Sequence, residues 1–160
     1  MKSVTVLCVG KLKEAYWRDA VAEYQKRLSA FCRFEIVELD ECRLPEDPSA
    51  AQIEKALETE SKAILAKIPA GAAVIPLCIE GKPLSSPELS DRLQRWAVEG
   101  RSKFVFIIGS SFGLSPEVKA AATYRLSMSP MTFPHQLARV MLCEQIYRAM
   151  QIEAGGKYHK

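Results

Sequence analysis

Two hydrophobic periodicities alternate along the chain. Short β-branched or aromatic runs at residues 4–9, 34–39, 73–79, 104–108 and about 124–128 are predicted as strands. Between them, apolar residues recur at helical spacing. In the first such segment Trp17, Ala20, Val21, Tyr24 and Leu28 share a stripe, while Arg18, Asp19, Lys26 and Arg27 fall mostly off it, so one face is predicted to pack and the other to be wet. Prolines and acidic residues at 43–48 mark a loop, after which Ser49 and Gln52 form a capping-box pattern that opens a helix to about Ile68, closed by Gly71. Pro76 lies inside the third run and indicates an edge position, a bulge or a strand end. The segment 80–83 reads as a turn, and Ser86-Pro87 as the N-cap and first residue of a helix whose core positions are Leu89, Leu93 and Trp96. Ser115-Pro116 caps a short helix. A long helix over 135–152 carries apolar residues on more than one side, which predicts burial by several neighbours or by a second subunit, and residues 155–160 read as a flexible polar tail.

Strands alternating with helices in this way predict an α/β domain with a mostly parallel sheet flanked by helices. The 160 residues, 48% apolar and 26% charged, suit one core, so residues 1–160 are read as a single domain. Twenty-two Lys and Arg against nineteen Asp and Glu give a net charge of +3, too mild to name a partner. Five cysteines without a C-x-x-C pair suggest neither a disulfide framework nor a thiolate zinc site, and read as small buried apolar residues. The start of the chain lacks a signal-peptide pattern, and no run approaches the ~18 apolar residues of a membrane span. A cytoplasmic protein without a membrane partner is the expectation.

In open α/β sheets ligands bind beyond the carboxyl ends of the strands, which selects the loops after Ile79, Ile108 and Met128. Gly109 and Gly113 bracket the second of these, either as a ligand loop or as an ordinary tight turn. The spacing is neither the G-x-G-x-x-G of dinucleotide binders nor a P-loop, which places a nucleotide-dependent oxidoreductase last among the readings. Pro130 and Pro134 fix the third loop at both ends, as a rigid connector or as a frame for the edge of a neutral heterocycle. His135 is a possible base or a solvated helix start. No G-x-S-x-G elbow supports a serine hydrolase. Lys11, Lys13, Arg18, Lys26, Arg27, Arg139, Arg148, Lys157 and Lys160, with Tyr16, Trp17, Tyr147 and Tyr158 among them, are compatible with RNA and equally with a solvated surface.

Several segments together resemble the RlmH-type ribosomal RNA methyltransferases of the SPOUT superfamily. They are Val9-Gly10-Lys11-Leu12-Lys13 with Tyr16-Trp17, the run 22–28, Glu80-Gly81-Lys82, the run 104–109 with Gly113-Leu114, Met131-Thr132-Phe133-Pro134-His135-Gln136 with Arg139-Val140, Glu144-Gln145-Ile146-Tyr147-Arg148-Ala149, and the ending Tyr158-His159-Lys160. The resemblance spans the chain. It implies a homodimer with a C-terminal trefoil knot that uses S-adenosylmethionine, and no metal, to methylate N3 of a pseudouridine in the helix 69 loop of 23S ribosomal RNA. The small size of the domain points to the assembled 70S ribosome as substrate.

Carried over by position, the resemblance places cofactor contacts on Leu77, Gly109, Met128, Ser129, Pro130, Met131, Thr132 and Phe133. Tyr158 and His159 are implied to position the substrate or take its proton, in the pocket of the partner subunit. Arg139, Lys157 and Lys160 are candidate RNA contacts; for Arg139 and Arg148 a dimer contact or buried pairing to Glu144 is the alternative. The sequence departs from the family at Ser110, where Gly is common, at Phe112, where a small polar or acidic residue is common, and at Pro76. A non-catalytic ribosome-binding or assembly protein that lost cofactor affinity through Ser110 and Phe112 is the competing function.

Overall fold

The computed structural model describes all 160 residues. Five strands alternate with five helices: β1 (Ser3–Val9), α1 (Ala15–Leu28), β2 (Arg33–Leu39), α2 (Ala50–Ala66), β3 (Ala73–Pro83), α3 (Ser86–Val98), β4 (Lys103–Ile108), α4 (Pro116–Ala120), β5 (Leu126–Ser127) and α5 (His135–Glu153). The sheet order is β2-β1-β4-β3-β5, and every neighbouring pair is parallel.

Successive residues of a strand face opposite sides, so β1 and β4 each feed two cores. Val4, Val6 and Cys8 of β1, with Phe104, Phe106 and Ile108 of β4, meet α1, α3 and α5 through Leu28, Leu93 and Ile146. Leu7 and Val9, with Val105 and Ile107, meet α2 and α4 through Ile64 and Val118. Burial on both faces explains why these strands read as unbroken apolar runs.

Local signals set most boundaries. Ser49 accepts a hydrogen bond from the Gln52 amide at 3.2 Å and the Gln52 side chain accepts one from the Ser49 amide at 2.8 Å, completing the expected capping box. The cap of α3 is Ser85 and not Ser86. A capping box needs an acid or amide three residues on, and Glu88 stands in that relation to Ser85, with both bonds at 3.2 Å.

Two expectations about β3 and β5 change. Residues 80–83 are strand, not turn. A Cβ on Gly81 would lie 2.6 Å from the carbonyl oxygen of Arg125, and the Lys82 amide donates to that oxygen at 3.0 Å, so this glycine permits close approach of two backbones. β5 is only two residues long, because the Thr123 and Tyr124 amides turn aside to donate to the Val74 carbonyl at 2.8 and 3.2 Å. Pro76 sits where β3 changes partners: pairing with β4 ends there and pairing with β5 starts at Leu77. The strand neither ends at that proline nor lies at the edge of the sheet: β3 runs on to Pro83, and what ends at Pro76 is its ladder with β4.

Candidate active site

Beyond the carboxyl ends of β3, β4 and β5 the three selected loops enclose a cavity of about 410 Å³. That is within the range of small-ligand pockets, about 300–1,000 Å³. Leu77, Gly109, Met128, Ser129, Met131, Thr132 and Phe133 line it, whereas Pro130 lies outside the lining. Ile79, Phe112 and Met131 also line it and remain 54%, 46% and 72% exposed. Exposed large apolar side chains are normally scattered, so three around one opening mark a surface that awaits an apolar or aromatic group.

The loop after β4 is both a tight turn and a pocket wall. Gly113 has φ +84° and its amide donates to the Ser110 carbonyl at 2.8 Å. A Cβ on Gly109 would come within 2.5 Å of the Gly113 oxygen, so the turn itself demands glycine. Ser110 is buried and lines the cavity together with Phe112.

Polar side chains and prolines set the loop after β5. Ser127 Oγ donates to the Ser129 carbonyl at 3.2 Å, and Ser129 Oγ accepts from the Met131 amide at 3.0 Å. The amides of Thr132 and Phe133 bond to no protein group. They are neutral donors held in a fixed loop, suited to the edge of a heterocycle.

Just after the loop, α5 is tied to the sheet by Arg139. Its guanidinium donates to Glu38 Oε2 at 2.6 Å and to the Gly10 carbonyl at 3.1 Å, and the same Glu38 oxygen accepts from the Leu12 amide at 3.1 Å. At 3% exposure Arg139 is a buried anchor, which corrects the expectation of an RNA contact. The reason is tertiary: α5 packs against both α1 and α3, so a residue that reads as surface faces the end of β1. Cys8 and Cys143 lie beside it, and burial pushes both thiols up to about 12, which removes them as nucleophiles.

The tail is docked, not free. Gly155, at φ +72°, reverses the chain after α5. Tyr158 then donates to Glu144 Oε1 at 2.9 Å and packs edge-on against Tyr147 at 4.9 Å between centroids. Arg148 lies 4.6 Å over the Tyr158 ring, bonds Glu144 at 2.7 Å and meets His159 Nδ1 at 3.2 Å. Arg148 thus pairs with Glu144, the alternative left open by the sequence. Burial and the bond to Glu144 push the Tyr158 phenol up to about 12. A guanidinium has no lone pair, so His159 Nδ1 must accept, which leaves the ring proton on Nε2. Tyr158 thus commits its only proton to Glu144, and His159 keeps Nε2–H as a donor, so the role of proton acceptor expected of the tail is not offered by this arrangement. Lys157 and Lys160 are exposed.

A second cavity, about 500 Å³, lies between α1, α3 and α5, is lined by Tyr24, Leu84, Val140, Met141 and Glu144, and shares Met128 with the first. The paired role of Glu144 and Arg148 in seating the tail was missed by the sequence reading, although their i,i+4 spacing was a signal for their mutual bond. Glu80 and Lys119, which also line the first cavity, were missed as site residues as well: Glu80 stands in the segment Glu80-Gly81-Lys82 without an assigned role, and Lys119 lies outside every motif segment.

A family model described as "Predicted SPOUT methyltransferase" matches residues 1–159. The chain belongs to the SPOUT methyltransferase family. A probable methyltransferase from Bordetella pertussis Tohama I superposes with a TM-score of 0.55 at 14% identity, over 93% of this chain and 96% of that one. A probable methylase family protein from Haemophilus influenzae Rd KW20 superposes with a TM-score of 0.53 at 11% identity, over 99% and 71% of the two chains. At these identities the likeness speaks to the fold. SPOUT methyltransferases use S-adenosylmethionine. The cavity of this SPOUT protein suits that group: free neutral amides at Thr132 and Phe133 for its heterocycle, and an apolar rim at Ile79, Phe112 and Met131 around them. No helix is long and apolar enough to cross a membrane.

Proposed function

We propose that this SPOUT methyltransferase methylates N3 of a pseudouridine in the helix 69 loop of 23S ribosomal RNA, acting in the cytoplasm on the assembled 70S ribosome as a homodimer with the family's C-terminal trefoil knot. The observation that carries the reading is the joining of two motif segments. Glu144, Tyr147 and Arg148 of E-Q-I-Y-R-A hold Tyr158 and His159 of the Y-H-K ending in one polar cluster. A motif pair that assembles one device supports the specificity implied by the resemblance more than either stretch alone.

When bound, S-adenosylmethionine supplies an electrophilic methyl group. The protein's work is then to align the acceptor nitrogen and to hold the base while its N3 proton is lost to solvent water and the methyl passes from sulfur to nitrogen, leaving S-adenosylhomocysteine. The Thr132 and Phe133 amides would hold the heterocycle of the cofactor, and the apolar rim of Ile79, Phe112 and Met131 would exclude water from around its sulfonium. His159 Nε2–H is a donor suited to a carbonyl oxygen that flanks N3 of a uracil ring, while the single Tyr158 proton is held by Glu144 and its ring helps to position the histidine. Half-buried Val140 and Met141 on α5, bordering the second cavity, supply an apolar surface for the second subunit.

The competing reading, a ribosome-binding protein without activity, requires Ser110 and Phe112 to spoil the pocket. Ser110 and Phe112 both line the cavity, and with both side chains present about 410 Å³ remains open, enough for a small ligand. Mass spectrometry of ribosomal RNA from cells lacking the protein tests the proposal. One methyl group should vanish from the helix 69 fragment and return when the protein and S-adenosylmethionine are added to 70S particles. An unchanged fragment would refute the proposal, and restoration on free 50S subunits alone would move the substrate off the assembled ribosome.

A further inference from the structure

We propose that Lys119 and Glu80 receive the charged amino-acid arm of the methyl donor, Lys119 taking its carboxylate and Glu80 its ammonium group. The inference rests on the cofactor reading of the same cavity and goes beyond it by giving a role to Lys119, which no motif singled out, and to Glu80, whose motif segment was given none.

The chemistry of the lining carries the argument. The loop after β5 offers neutral backbone groups and apolar side chains, which suit the heterocycle and give nothing to a zwitterion. Glu80 and Lys119 are the carboxylate and the ammonium that line the cavity, and they bond to each other at 2.5 Å. An α-amino carboxylate carries opposite charges on neighbouring atoms, and an ion pair across a pocket wall is its complement. Each charge of the ligand then meets its opposite, and the exchange leaves neither protein group unpaired.

Backbone structure puts the two residues there. Register shifts between Leu77 and Lys82, so β3 bows out of the ladder, and that irregular stretch carries Ile79 and Glu80 into the cavity lining. Lys119 comes from the last turn of α4, whose start is fixed by the Ser115 cap, with Ser115 Oγ accepting from the Val118 amide at 3.3 Å. The pair is accessible, with Lys119 29% and Glu80 54% exposed at the side chain, so water competes for it and it opens readily. Arg125 adds a second cation nearby, its Nε donating to the Lys119 carbonyl at 3.2 Å, which biases the corner toward a carboxylate. The bond from Lys119 also holds the Glu80 carboxyl below the usual range, so Glu80 remains an anion at neutral pH and able to meet an ammonium group.

Two thioether ligands separate this idea from the cofactor reading. S-adenosylhomocysteine keeps the amino-acid arm, and 5′-methylthioadenosine lacks it while keeping the adenosine and the sulfur. Calorimetric titration of the full chain with each, for wild type, Lys119→Met and Glu80→Gln, decides the matter. Lys119→Met keeps an apolar stem on α4, and its binding of methylthioadenosine doubles as a control for folding. Lys119→Met is expected to weaken S-adenosylhomocysteine about tenfold and leave methylthioadenosine within about twofold, with a smaller arm-specific loss for Glu80→Gln. Equal losses for both ligands in the variants, or no loss for either, overturn the assignment and leave the cofactor site standing. Equal affinity of the wild type for the two ligands overturns it as well. A wild type that binds neither ligand overturns the cofactor reading and the assignment together. Should Lys119→Met fail to bind methylthioadenosine, Glu80→Gln decides by the same criterion.

Discussion

The candidate cofactor pocket and the seat of the tail both draw on α5, yet different forces shape them. The pocket is made of backbone: a turn closed by Gly113, a loop pinned by Ser129 and a strand that changes partners at Pro76. Its walls inherit the rigidity of a sheet buried on both faces. The seat is made of side chains, with Glu144, Tyr147 and Arg148 gripping Tyr158 and His159 at partly exposed positions. The first is expected to fail only when the fold is disturbed. The second can let go by itself, as the proposed RNA substrate would require.

The sharpest way to break this contrast is at Arg139, which ties the pocket end of α5 to β1 and β2. Arg139→Met leaves Glu38 and the Gly10 carbonyl without their partner. Loss of a fully buried pair costs about 3–5 kcal/mol, and because the Glu38 side chain is 35% exposed a loss of about 2–3 kcal/mol is expected in urea unfolding. An unchanged midpoint would show that the pocket does not depend on this anchor. Next comes Gly109→Ala, where the added Cβ meets the Gly113 oxygen at 2.5 Å. A cost of about 1–3 kcal/mol is expected, with loss of S-adenosylhomocysteine binding and an unaltered Tyr158 titration. Retained affinity would mean that the turn is not what forms the wall.

Smaller effects sharpen the other side. Tyr158→Phe removes one bond to Glu144, worth about 1 kcal/mol to tail docking. Amide exchange at residues 155–160 should quicken while global stability and ligand affinity hold; a drop in either would show that tail and pocket are coupled. The mildest test is pH. The folded-state pKa of Tyr158, about 12, lies above its ordinary value of 10.0, so its contribution to docking is fully present below pH 10 and is lost as pH rises through about 12. Phenolate absorbance should follow that late transition in the wild type and an earlier one in Glu144→Gln, whereas coincident curves would deny Glu144 its part.

Much of this was legible from residue patterns. The strands of the centre announced themselves because burial on both faces leaves no polar positions, and Ser49 with Gln52 fixed a helix start by a purely local bond pair. Loop choice followed from parallel topology. What escaped depended on distant partners. Gly81 looks like a turn residue until the Arg125 backbone is placed against it. Arg139 looks like surface until α5 is known to face the end of β1. The ending with Gly155, Gly156 and Lys157 has the composition of a loose tail, and only side chains on the preceding helix, Glu144 and Arg148, give it a place to rest.

One consequence concerns the helix that carries both devices. Glu144 follows His135 by nine positions, and at about 3.6 residues per turn this is two and a half turns, a rise of about 14 Å and a net rotation near 180°. His135 lines the first cavity and Glu144 the second. The helix thus works as a crankshaft with two throws out of phase, the candidate cofactor cavity on one and the seat of the tail on the other. A seated tail points away from the pocket of its own chain, and a second copy, under the proposed dimer, is what brings the two throws to one axis. Inserting a single residue between Arg139 and Glu144 would shift that phase by about 100° without touching either throw.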